Sequence, residues 1–78
     1  MHSIETVTSE ALRQVRDQLG EALAVAKAAE ALAREGQSAR ALRIALDIEP
    51  LAVDVNHLLQ GIAVLSRLSQ RADDTTDL

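Results

Sequence analysis

The chain has no cysteine, phenylalanine, tyrosine or tryptophan, and only one proline, one methionine and three glycines in 78 residues. Without cysteine it has no disulfide staple, no thiolate metal site and no cysteine nucleophile. Without aromatic rings its interior must be aliphatic: fourteen Ala, twelve Leu, six Val, four Ile and one Met make up the whole 47% hydrophobic content. A chain this short buries only about 60% of its unfolded surface, and small scaffolds without staples draw stability from oligomerisation or very regular helix packing. A partner is therefore expected. Positive charge is scarce as well. Eight Lys and Arg stand against twelve Asp and Glu, for a net charge of −4 and a pI near 4.9. That balance is opposite to the basic footprint that binding a phosphate backbone requires, so nucleic acid is not an expected ligand. Apolar runs are short, such as Ile62 to Leu65, and none nears the ~20 residues of a membrane span. The opening residues Met1, His2, Ser3, Ile4 and Glu5 lack the basic start of a secretory signal, so a cytoplasmic location is expected.

What the chain does have is helix-forming residues. Ala and Leu, with Glu, Arg and Gln, dominate residues 9 to 35 and 38 to 71, which predicts an all-α fold. In the first half, Leu12, Leu19, Ala26 and Ala33 recur every seven residues, as do Val15, Ala22 and Ala29, and together they read as an apolar seam. Arg13, Gln14, Asp17, Glu21, Lys27, Arg34 and Glu35 fall on the other side as a solvated face. Thr8 or Ser9 is the expected N-cap, with Glu10 in the first turn, and Gly36 the expected C-terminal stop.

The second half contains Pro50, which removes a backbone hydrogen bond and crowds the preceding turn at about 3 kcal/mol or more in a helix interior. Yet Ala41, Ile44, Ala45, Ile48, Leu51, Ala52, Val55, Leu58, Leu59, Ile62 and Leu65 keep a three-four spacing straight through it. One long helix from about Ser38 to Gln70, kinked or broken at Pro50 with the proline outside, is expected. A three-helix variant remains open, because the residue before proline is biased away from helix. The two arms fold back at Gly36, Gln37 and Ser38 as an antiparallel hairpin. Residues 1–8 are expected to be a flexible N-terminus, residues 9–70 the hairpin domain, and residues 71–78, with Asp73, Asp74 and Asp77, a disordered acidic tail. Gly20 and Gly61 lie inside helices, where each costs ~1 kcal/mol against Ala; close approach of a neighbouring backbone is the expected reason.

A hairpin has no third layer. Leu42, Leu46 and Val53 fall off the seam of the second arm, and Leu23, Val25 and Leu32 flank that of the first, leaving apolar surface for a partner. That partner is either a heterologous protein or a second copy completing a four-helix bundle.

Chemistry has little foothold. The twelve acidic residues are spread along solvent faces with no cleft to gather them, so no enzyme activity is expected. Asp73, Asp74 and Asp77 lack the glycine turn and final Glu of a calcium loop, and no glycine-rich phosphate loop exists, so no cofactor or metal is expected. Of the two histidines, His2 reads as an incidental terminal residue. His57 opens the string His57, Leu58, Leu59, Gln60, Gly61, Ile62, Ala63, which resembles the phosphoacceptor stretch of histidine phosphotransfer domains. Gln60 stands where that family has Lys, and the chain is too short for its four-helix bundle. The alternative reading of His57 is a solvent-facing helix residue. Gly36, Ala41, Ala45 and Pro50 resemble the closing half of a tetratricopeptide unit, but a single copy cannot stack.

A broader resemblance covers about 55 residues. The run Leu58 to Ser69, an aliphatic and small-residue stretch ending Leu65, Ser66, Arg67, Leu68, is similar to the end of the second helix in the YscE-like co-chaperones of the bacterial type III secretion needle. Ala11, Leu12, Arg13, Gln14, then Leu19, Ala22, Leu23, and Arg34 before Gly36 resemble that family's first helix. Pro50, the longer segment from Gly36 to Gly61 and the acidic tail depart from it. The resemblance implies a small cytoplasmic helical hairpin that binds a tetratricopeptide-like, helical-repeat chaperone and helps keep the needle subunit monomeric before export. Its contact stripe would be Leu42, Leu46, Val53, Leu59, Ile62, Leu65 and Leu68. A self-associating helical adaptor, with a homodimer, is the alternative, and phosphotransfer through His57 a further one.

Overall fold

The computed structural model describes residues 3–76, with side chains as far as residue 72. Met1, His2, Asp77 and Leu78 lie outside the described residues, and with them the reading of His2 and the last two tail positions. Three helices follow one another: α1 (Ile4–Arg34), α2 (Ser38–Ala45) and α3 (Ile48–Thr76), with no strand among the described residues. α1 packs along both α2 and α3, so the chain is the expected antiparallel hairpin, its second arm bent at Leu46 and Asp47.

α1 starts earlier than its capping residues predicted. Ser3 is extended and its side-chain oxygen accepts the Thr6 N–H at 3.1 Å, with Glu5 in the first turn, so Ser3 rather than Thr8 or Ser9 is the N-cap. Ile4 to Thr8 are therefore helical. At the other end α3 continues to Thr76, beyond the expected stop at Gln70. Half-buried Thr8 and Ser69 show why: the seam is prolonged at both ends by small polar residues that an apolar count passes over.

The buried and half-buried positions of α1 are Thr8, Ala11, Val15, Gln18, Ala22, Val25, Ala29 and Leu32, an unbroken alternation of three and four. Val15, Ala22 and Ala29 stand where the sequence places them. The companion row does not: Leu12, Leu19, Ala26 and Ala33 are exposed, and the row one residue earlier, Ala11, Gln18, Val25 and Leu32, faces the second arm. On that arm Ala41, Ile44, Ile48, Leu51, Val55, Leu58, Ile62, Leu65 and Ser69 keep the same alternation across the bend. Counted back from the turn, Val15 stands level with Leu58, Gln18 with Val55 and Ala22 with Leu51.

The turn is a paired C-terminal stop. The Gln37 N–H donates to the Leu32 carbonyl at 2.9 Å and the Gly36 N–H to that of Ala33 at 3.0 Å, with Gly36 at φ +82°. The bend has a different origin. Pro50 is the third residue of α3, a place where a missing N–H leaves no intrahelical bond unmade. The cost falls one turn earlier, because the ring crowds the carbonyl of Leu46. That carbonyl accepts instead from the Glu49 N–H at 3.2 Å, and the Asp47 N–H reaches Ile44 at 3.0 Å, both three residues back. The break thus precedes Pro50, which is itself exposed as expected.

The result is a rod of 65 × 17 × 15 Å with a radius of gyration of 18.4 Å, against about 11–12 Å for a compact chain of this length. Among the described residues only Val15, Ala29 and Ala41 are buried, and no side chain is completely enclosed.

Gly20 and Gly61 correct another expectation. A Cβ at either would meet nothing within 4 Å, so no neighbouring backbone approaches them within the molecule. Alanine at each should stabilise the hairpin by up to about 1 kcal/mol, whereas Gly36→Ala, in equally open space but at positive φ, should destabilise it by about 1–2 kcal/mol. Urea unfolding of the three variants reads this opposition of sign directly.

Candidate interaction surface

The seven residues expected to form one contact stripe divide among four places. Leu42, Leu46 and Val53 lie with Pro50 on the outer side of the bent arm, away from the seam, with exposures of 65%, 58% and 46% for the three aliphatic residues. Ile62 and Leu65 are half-buried in the seam and hold the hairpin together. Leu59 is exposed on one flank and Leu68, with Val64, on the other.

The first flank carries the exposed leucines of α1. Leu12 lines an open depression between the arms with Thr8, Ile62 and Ser66, which sets the row Leu12, Leu19, Ala26, Ala33 on the same side as the row Ala45, Ala52, Leu59, Ser66. Leu23 borders it; from Leu12 to Ala33 and from Ala45 to Ser66 neither row holds a charged residue, and Glu5, one heptad before Leu12, lines the end of the depression. The exposure of Leu12 and Leu19 was hidden in the sequence because both occupy a faultless seven-residue repeat, while the seam row beside them contains Gln18. The only available clue was the continuity of Ala11, Gln18, Val25 and Leu32 with Ile4 and Thr8.

The opposite flank carries a second open depression, lined by Ala11, His57, Leu58, Gly61, Ile62, Val64 and Leu65. His57 is exposed there, and no carboxylate lines the depression. Among the described residues no group of three or more His, Asp or Glu is placed to hold a metal ion, and no helix is long and apolar enough to cross a membrane.

Electrostatics on α1 are local. Arg13 hydrogen-bonds Glu10 and lies beside it, holding the Glu10 carboxyl below its ordinary range and raising the guanidinium above its own. Glu30 pairs with Arg34 at 2.7 Å and Asp17 with Arg16 at 3.4 Å. All are solvent-exposed pairs along one helix, of a kind worth little to stability. Among the described residues the one enclosed polar atom without a partner is Oε1 of Gln18, set in the seam among aliphatic side chains.

No known protein-family model matches the chain, and comparisons with curated proteins and with solved structures likewise find no match.

Proposed function

We propose that this chain is a stoichiometric binding protein rather than a catalyst: a cytoplasmic co-chaperone that docks on a tetratricopeptide-like chaperone and helps hold a type III secretion needle subunit monomeric before export. The observation that carries a binding role is the outer ridge of Leu42, Leu46 and Val53, exposed on a chain with only three buried residues among those described. A helical-repeat chaperone offers concave apolar grooves, and a helix ridge with aliphatic residues one and two turns apart suits such a groove. The partner's identity comes from the sequence resemblance of the Leu58 to Ser69 run and of the first helix.

Affinity purification from the native cells tests the proposal. The wild-type chain should bring down a small helical-repeat protein together with a short helical export subunit. Leu46→Glu should weaken that capture at least about tenfold, because a charge enters an apolar contact. Its far-UV circular dichroism should be unchanged, since Leu46 lies outside the seam. Recovery of neither protein, or capture unaffected by Leu46→Glu, would falsify the proposal.

A further inference from the structure

We infer that the apolar flank formed by Leu12, Leu19 and Leu23 of α1 and Leu59 of α3 is the seat of a second copy of this chain, laid antiparallel to form a four-helix bundle. This goes beyond the co-chaperone reading and does not depend on it, because the outer ridge at Leu46 faces elsewhere.

The first ground is area. The chain exposes 6158 Å², whereas a compact monomer of 8.4 kDa exposes about 4,600 Å². The excess of about 1,500 Å² exceeds the ~800 Å² that each partner contributes to an ordinary stable interface. Leu12, Leu19, Leu23 and Leu59 are 48%, 54%, 55% and 46% exposed, and they sit on the flank with no charge in its two central rows.

The second ground is the order of residues along that flank. On α1 the row reads Leu12, Leu19, Ala26, Ala33, and on the second arm Leu59, Ala52, Ala45 in the same direction along the rod, so both rows pass from large to small. A dyad across the rod near Leu23 reverses the order in the second copy. It sets Leu19 opposite Ala26 and Leu12 opposite Ala33, bulk against space along that row of α1. The rim of α1 agrees. Arg16 and Glu30 lie seven residues to either side of Leu23, so the same dyad brings Arg16 of each copy to Glu30 of the other. Their present partners, Asp17 and Arg34, are exposed neighbours on the same helix and hold neither side chain strongly. A dyad along the rod instead sets Leu23 against Glu49 and Glu30 against Leu42, apolar against charge. Charge and volume therefore favour the crosswise arrangement.

Sedimentation equilibrium of the full chain tests this. The wild type should be a dimer, and Arg16→Glu and Glu30→Arg should each raise the dissociation constant about tenfold by placing like charges together twice. The double variant should return to within about threefold of wild type, because the pair is restored with its signs exchanged, which a heterologous partner would not allow. Since the chain has no cysteine, a single thiol supplies a second reading: Leu23→Cys at the dyad should form a disulfide-linked dimer on mild oxidation, and Leu46→Cys on the outer ridge should not. A wild-type chain that is monomeric at about 0.1 mM, above any dissociation constant useful for a stable pair, overturns the inference. So does a dimer indifferent to both charge reversals, or one that Leu46→Cys links as readily as Leu23→Cys.

Discussion

Val15→Asp abolishes cooperative unfolding. Val15 is one of three buried residues among those described, level with Leu58, and the described residues form no second core onto which the structure can fall back. An unpaired carboxylate there meets aliphatic neighbours on the second arm, and the penalty of several kcal/mol is comparable to the whole stability of so small a domain. A thermal scan at 222 nm should replace the sigmoid of the wild type with a shallow, continuous loss of signal. The pH dependence has a defined sign. Burial raises the folded-state pKa of the introduced acid, so the loss is full above that value and is relieved as pH falls and the neutral acid enters the seam. Val53→Asp, on the outer ridge, should leave the transition cooperative. Its survival beside the loss at Val15 checks that position, rather than charge, decides the outcome.

The second large effect has the opposite sign. Gln18→Leu should stabilise the hairpin by about 1–3 kcal/mol, raising the midpoint of thermal unfolding by roughly 5–15 °C. The Oε1 of Gln18 is enclosed without a hydrogen-bond partner, level with Val55, and leucine removes that unmet acceptor while filling a similar volume. An unchanged or lowered midpoint would show that the amide oxygen is satisfied in solution. The variant should also loosen specificity. A polar residue in the middle of a seam that is otherwise aliphatic between Thr8 and Ser69 distinguishes one register of the arms from a slip of one heptad, and removing it makes the alternatives more nearly equal. Amide exchange should report this as protection spread more evenly along α1.

These two positions also mark how far the fold was legible in the sequence. The all-helical hairpin, the stop at Gly36 and the unbroken phase through Pro50 all follow from local rules, and the structure has each of them. Which face of α1 points inward was only half legible. Val15, Ala22 and Ala29 were readable, but a leucine at every seventh place outweighs a row holding Gln18, although the latter is the row that packs. Hydrophobicity ranks residues one at a time, whereas burial is decided by what lies opposite: Gln18 stands level with Val55 of the second arm, while Leu19 beside it is left 54% exposed. The bend was legible as a consequence of Pro50 but not in its place, because a proline disturbs the carbonyl four residues before it. The helix ends were missed for a related reason, since Ser3 and Ser69 contribute through hydrogen-bonding capacity and size, which apolar periodicity does not register. Of the residues expected to meet a partner, Leu42, Leu46 and Val53 stay together on the outer side, while Ile62 and Leu65 belong to the hairpin itself.

The scarcity of enclosed side chains also sets how long such a molecule lasts. Proteases cut what opens, and a rod whose backbone is covered by one neighbouring helix opens along its length at little free-energy cost. On the proposed binding role, a copy left alone would be the more readily cleaved, while one seated against another helical surface would be protected by the free energy of that contact. Its abundance would then follow the supply of binding sites, and unassembled excess would remove itself without any dedicated degradation signal.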